Sequence, residues 1–514
     1  MNENPNLQPI GAETVSGSPE PAAILQENPT VPSAPFFPSG TREFLFALVS
    51  VIISWLLSNS IFYGGFHLGF AIFSGIAIVA SVGYLLWRGC KLNVYSGILL
   101  GLSLIIAASF ARSDDGFVKF IMVCFLILSV NLGLCLMAGQ NRRSPSGILS
   151  LLDVPRTFFV LGFGKLPESI RGLIWGIRDS GSAGKKGGAI ALGLVIAIPL
   201  LAIMIPLLVT ADAAFDALLQ QLPEISFGEI FVTILFGSIL ACILYTRDAA
   251  LRHAPKEQPA TKQRKGIHAL TVNTVLLAVG LVYAVYLLSQ LAYFAGGFSG
   301  ILPKGYSLSE YARRGFFEMA WLCAINLGIM ALAVGVVAKK EGAAPLLTRL
   351  VCLFIGIVTL FLVVSASAKM FLYIDSLGLT RLRVLTQVII FFLGFCTILV
   401  SIWLFVPKLP YMKVMIVLAL VIGAAVSWAD VDTVVASYNV NAYQSGKLET
   451  VDIDHLKTLG NGAVPYLAEL IQDEDATLAR DAKTALSLCD YDYEPSEDFR
   501  DWNYVNYIAD LYLD

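Results

Sequence analysis

With 514 residues, 56% of them hydrophobic and only 14% charged, and a mean hydropathy of +0.73, the chain is too apolar for a water-soluble globule of ordinary composition. The net charge of −3 conceals a split: basic residues exceed acidic ones from Met1 to Ala429, whereas Asp430 to Asp514 carries many carboxylates against only Lys447, Lys457, Arg480, Lys483 and Arg500. Such an acidic end argues against a nucleic-acid partner, and the apolar excess assigns most of the chain to a lipid bilayer.

In chain order, residues 1–41 are rich in Pro, Ser, Asn and Glu and read as a disordered N-terminal tail. No basic n-region leads directly into a short apolar stretch near Met1, so the first span is expected to be retained as a signal anchor. Residues 42–429 form the transmembrane domain. Windows of roughly 20 apolar residues, the length that crosses a bilayer core, predict spans at 44–63, 66–86, 93–110, 117–138, 188–210, 228–246, 268–295, 316–338, 348–368, 384–406 and 411–428.

Two stretches interrupt the spans. Residues 153–180 interleave Phe158, Phe159, Phe163, Ile170, Ile174 and Trp175 with Arg156, Lys165, Arg171 and Arg178, a pattern that suits a helix lying in the membrane interface. The segment from Arg247 to Gly266 reads as a plain basic loop. With eleven spans, lysine and arginine gather on the side that holds Arg88, Arg142, Arg143, Lys185, Lys186 and the 247–266 cluster. The positive-inside rule then predicts a protein of the bacterial inner-membrane type, with a cytoplasmic N-terminus and an extracytoplasmic C-terminus.

Residues 430–514 form an acidic helical tail. Val464, Leu467, Leu470 and Ile471, then Leu478, Ala482 and Leu486, recur at helical spacing, and the paired short helices resemble a single HEAT-like repeat. One such repeat is too small to stand alone. It is therefore expected to dock on the membrane domain, helped by Phe499, Trp502, Tyr504, Tyr507 and Tyr512. The fold class is thus all-α: a polytopic transmembrane helical bundle with a small helical, HEAT-like extramembrane tail.

Motifs for soluble chemistry are missing from the sequence. The eight cysteines form no CxxC pair, the four histidines are scattered, and there is no phosphate loop, HExxH, GxSxG elbow or dinucleotide fingerprint. No metal site and no cofactor are expected. Inside the spans the main polar side chains are Asn131, Asn273, Gln290, Asn326 and Gln387, which suit interhelical hydrogen bonding better than ion-coupled pumping. Gly65 with Gly69, and Gly97 with Gly101, have the GxxxG packing spacing.

Three segments fall on one face of this topology. The first carries Asp212 and Asp216, whose i, i+4 spacing puts both carboxylates on one helical face, where they could bind a cation or simply be solvated. The second offers Glu310, Tyr311, Arg313, Arg314 and Glu318. The arginines could grip a phosphate or carboxylate, or only pair with the two glutamates at i, i+3 and i+4. The third carries Lys369, Tyr373, Asp375, Arg381 and Arg383 around Gly378, which is placed to end one helix before the next begins. Such an elbow serves as a membrane anchor or as part of a ligand site.

The strings SQLAYFAGG (Ser289 to Gly297), YARRGFFEM (Tyr311 to Met319), SASAKMFLYIDSLGLTRLR (Ser365 to Arg383) and DVDTVVASYNVNAY (Asp430 to Tyr443) resemble a bacterial family of multi-span membrane proteins classed as a domain of unknown function. The likeness runs from about Thr210 to the C-terminus and implies architecture, with no activity or catalytic residue to carry over.

Three readings of function follow. The leading one is a non-enzymatic envelope protein whose outer face binds a small-molecule or protein partner. The others are a transporter of a lipid or other amphiphile, and a membrane-embedded transferase using Asp212 or Asp375 as base on a lipid-linked substrate.

Overall fold

A computed structural model describes residues 40–179, 227–253, 266–297, 316–337, 344–492 and 498–513, with single positions between 193 and 211. The described residues are mostly helical with no strand among them, and one isolated parallel bridge joins Ile267 and Val337. Nine of the described helices are long and apolar enough to cross a membrane.

The helices end where local chemistry satisfies their free backbone groups. Helix α1 spans Thr41–Tyr63 and α2 spans Leu68–Trp87. In α3, Val94–Ser109, Asn93 and Ser96 exchange cap hydrogen bonds at 2.8 and 3.2 Å. In α4, Gly116–Ala138, the Asp115 carboxylate accepts from the amides of Phe117 and Val118, and Gly139 closes the far end in the left-handed conformation, φ 66°. At 16 residues α3 is about 24 Å long, shorter than a typical hydrocarbon core, so the predicted span 93–110 falls short of a full crossing.

After α4 come a helical turn at Asp153–Pro155, a π-helical stretch at Arg156–Leu161 and helix α5, Leu166–Asp179. Ser169 ties α5 to Thr246 of α6 at 2.9 Å. Helix α6, Phe227–His253, continues well beyond the predicted end at 246. Arg247 and Asp248 are therefore buried helix residues, paired at 2.7 Å, and not the start of an open loop. The described residues of the predicted span 188–210 are helical. α5 lies against the last turns of α6, near Thr246, while the first turn of α6 lies beside Asn59 at the opposite end of α1, so the chain changes face between them.

The remaining spans are α7 (Ala269–Gly297), α8 (Phe316–Val336), α9 (Leu346–Leu377), α10 (Arg381–Phe405) and α11 (Tyr411–Ala429). At 32 residues α9 is about 48 Å long, so its last turns, bearing Tyr373 and Asp375, stand clear of a 30 Å core. The tail contains α12 (Val431–Gln444), α13 (Ile453–Lys457), α14 (Val464–Leu470), α15 (Ala476–Asp492) and α16 (Tyr504–Leu513).

The spans sort into two lobes. One joins α1, α2, α3, α4 and α6, the other α7, α8, α9 and α10, and α11 packs on α3, α4 and α10 to link them. In the first lobe α1 and α6 lie unusually close. Ser50, Ser54 and Ser58 form a buried small-residue stripe on α1, and a Cβ at Gly237 would meet the Trp55 ring at 2.5 Å.

The second lobe is held by buried amides, as their positions in the spans predict. Asn326 accepts from Tyr283 at 2.7 Å and donates to Thr359 at 3.0 Å, Thr348 donates to Asn273 at 2.7 Å, and Gln387 donates to Ser367 at 3.0 Å. Asn131 differs, bonding back to Ile127 of its own helix.

Candidate functional site

The ends of both lobes and the tail converge on one polar seam. Asp430 closes α11 and opens α12 with a left-handed backbone, φ 53°, costly for a residue with a Cβ. Its carboxylate offsets that cost: one oxygen caps α12 through the amide and hydroxyl of Thr433, and the other accepts from Ser113 at 2.9 Å. One residue beyond Val431, Asp432 meets Arg381 in a two-pronged pairing at 2.6 and 2.7 Å. Arg381 also reaches Asp115 at 3.1 Å, so its guanidinium joins the first turn of α10 to the cap of α4 and the first turn of α12.

These groups line a cavity of about 170 Å³. Asp114, Asp115 and Arg381 come from the membrane domain, Asp430 and Asp432 from the start of the tail, and Thr458 to Gly462 with Val505 from farther along the tail. Four carboxylates face one guanidinium. Burial, together with repulsion from Asp115 and Asp430, outweighs the pull of Arg381 and pushes Asp432 up to about 6. For Asp114 the balance tips the other way: against the effect of burial, the hydrogen bond from His67 and the charge of Lys119 hold it below the usual carboxylate range.

A second polar group locks the tail beside this cavity. The His67 ring lies between Asp114 at 3.0 Å and Asp501 at 2.6 Å. Arg500 pairs with Glu229 of α6 at 2.8 Å and donates to Asn59 of α1 and to Asp498. Its backbone passes so close to α2 that the carbonyl accepts from the Gly69 amide, and a Cβ at Gly64 would meet Arg500 at 2.5 Å. Gly69 thus serves tail docking, which GxxxG spacing alone does not distinguish from helix pairing.

The sequence-predicted residues divide. Arg381 is in the cavity. Arg383 stacks on Tyr373 at 4.0 Å and donates to the Leu377 and Gly378 carbonyls, so it finishes the C-terminus of α9. Asp375 pairs at the surface with Lys447 of the tail at 2.7 Å. Asn439 of α12 clamps the elbow, accepting from the Leu379 amide at 2.6 Å and donating to its carbonyl at 2.9 Å. The elbow is therefore a docking clamp for α12.

Lys369 and Glu318 interact electrostatically between α9 and α8, away from the cavity lining. Asp212, Asp216, Glu310, Tyr311, Arg313 and Arg314 lie outside the described residues. Sequence reasoning missed Asp114, Asp115, Asp430 and Asp432. The available signal was carboxylates at helix-cap positions, which reads as capping until tertiary structure collects them. It also missed a buried cluster at the other membrane face, where Glu43 meets Arg88 at 2.9 Å and His253 at 3.5 Å.

Among the described residues no group of three or more His, Cys, Asp or Glu side chains is placed to hold a metal ion. No curated protein and no solved structure matches the chain. The family described as "Domain of unknown function (DUF4153)" matches residues 44–470, from the first turn of α1 to the end of α14. That match covers both lobes, the seam residues up to Gly462 and the first tail helices, so the chain, with its many membrane-spanning helices, belongs to the DUF4153 family.

Proposed function

We propose that this protein is a non-enzymatic membrane protein of the bacterial envelope that binds a small cationic ligand on its tail-bearing, extracytoplasmic face. The observation that carries this reading is the seam cavity, where Asp115, Asp430 and Asp432 surround the Arg381 guanidinium and Asp114, paired with Lys119, completes the lining, so that carboxylates outnumber cations between the transmembrane helices and the docked tail. A half-buried site with surplus negative charge favours a group that brings positive charge and hydrogen-bond donors, such as an ammonium or guanidinium. Because the tail supplies one wall, occupancy would tighten tail docking and give a readout visible to other envelope components.

Two further readings belong to this proposal. Residues 430–514 act as the extramembrane domain, and 153–180 lies in the opposite membrane interface, a placement supported by the exposed side chains of Phe159, Val160 and Phe163.

The test is thermal unfolding of the full chain in lipid nanodiscs with methylammonium, guanidinium, putrescine or magnesium, each matched for ionic strength with sodium chloride. A cation that raises the midpoint of the wild type but not of Asp432→Asn supports the site. Equal shifts in both proteins, or none with any cation, reject it. A reporter fused after Asp454 that reads cytoplasmic rejects the orientation.

A further inference from the structure

The end of the tail carries a surface that the seam does not explain. Two backbone hydrogen bonds fix its height: the Leu68 amide, first residue of α2, donates to the Trp502 carbonyl at 3.0 Å, and the Tyr504 amide donates to the carbonyl of Ala111 just past α3 at 2.9 Å. Arg112 lies over the Tyr504 ring at 4.0 Å. Residues 502–504 therefore sit level with the ends of two membrane helices.

From there α16 runs for ten residues with two unlike faces. Val505 and Ala509 are buried against the tail, and Asn506 bonds Asn461. At 100° per residue, Tyr504, Tyr507, Ile508, Leu511 and Tyr512 fall within one arc of about 140°, and no charged residue interrupts it. That arc faces outward: Tyr507 is 47% exposed, Leu511 60% and Tyr512 51%. Trp502, 6.3 Å from the Tyr507 ring, extends it toward α2. An exposed apolar arc in water is unfavourable, whereas Tyr and Trp at the ends of membrane spans sit well in the headgroup region, ring in the apolar layer and polar tip in water.

We infer that α16, with Trp502, is an interfacial anchor that presses the tail onto the lipid surface beside α2 and α3. The occupant is the bilayer itself, because the arc continues at the same level as the lipid-exposed ends of α1 and α2, where Phe62, Tyr63 and Phe66 are also exposed. The inference is independent of the seam ligand.

The test uses the full chain with Cys90, Cys124, Cys242 and Cys489 replaced by Ala, which leaves only buried native thiols, and an environment-sensitive fluorophore on Leu511→Cys or, as control, on Arg480→Cys, a tail position outside the arc. In phosphatidylcholine vesicles containing a shallow nitroxide lipid, quenching at position 511 should exceed that at 480 by roughly threefold or more, with blue-shifted emission, as for a helix seated a few ångströms into the interface. Water-like emission and equal quenching at both positions overturn the anchor. So does blue-shifted emission that survives without quencher contact and is accompanied by energy transfer between 511 labels, which would assign the arc to a second copy of the chain. As a check that does not depend on the label, Tyr507→Ser with Leu511→Ser should speed protease cleavage of the tail in vesicles but not in detergent. An equal effect in both media counts against the lipid contact.

Discussion

Asp432 carries two opposed influences, a paired guanidinium and a buried, like-charged neighbourhood, and the second prevails. A carboxyl whose folded-state value is raised binds its proton more tightly folded than unfolded. The stability it contributes is therefore complete below the ordinary carboxylate value near 4 and is lost as pH rises through about 6. Wild-type protein should lose thermal stability relative to Asp432→Asn between pH 4 and pH 7, by at most about 3 kcal/mol for a shift of that size. A difference that stays constant across that range would show that Arg381 controls Asp432. Asn439 is a cleaner probe of docking. Replacing it with Ala leaves the Leu379 amide and carbonyl without their partners, at a cost of about 1–3 kcal/mol, and should free α12 from the elbow, measured as faster proteolysis of the tail with the transmembrane unfolding transition little changed.

At the scale of elements, the contact between α1 and α6 depends on what is absent from a side chain. Gly237 lies where any Cβ would collide with Trp55, and the serine stripe keeps the facing surface low. Gly237→Val should cost about 1–3 kcal/mol or more by forcing the helices apart, lowering the unfolding midpoint in nanodiscs. Ser54→Ala, which keeps the small volume, should be nearly neutral. If the two substitutions cost the same, close approach is not what holds this pair. The long α9 shows the complementary case. Its apolar run covers the membrane, and the polar turns that follow continue as helix until Gly378, at φ 74°, allows the chain to reverse.

For the whole molecule, the tail is bound by charge at Arg500 and His67, by the Asn439 clamp and by backbone bonds to α2 and α3. Arg500→Glu should place like charges beside Glu229 and Asp498 and release this part of the tail. A disulfide crosslink between His67→Cys and Asp501→Cys, efficient in an otherwise wild-type background, should fall several-fold when the Glu is added. An unchanged yield would assign docking to the apolar contacts. The tail closes over a seam to which both lobes contribute, so a change in the seam walls reaches the docked tail directly.

How much of this was legible without coordinates follows from the range of the forces involved. The apolar runs alone predicted the helical class, nine spans that the described residues contain, and the hydrogen-bonding role of Asn273, Asn326 and Gln387, because a bilayer obliges each spanning segment to satisfy its backbone internally. Gly378 was legible as a helix stop because its signal is local. The seam was not. Asp115 and Asp430 read in sequence as ordinary helix caps, and 315 residues separate them; only the folding of two lobes around α11 brings them to one guanidinium. Arg247 and Asp248 looked like loop residues because charge marks the end of a span, and only packing between helices shows that a pair of opposite charges is buried there. Which segments lipid solvates is written along the chain, since hydrophobicity adds up locally; which distant charges meet is settled by packing, since that depends on contacts no local pattern encodes.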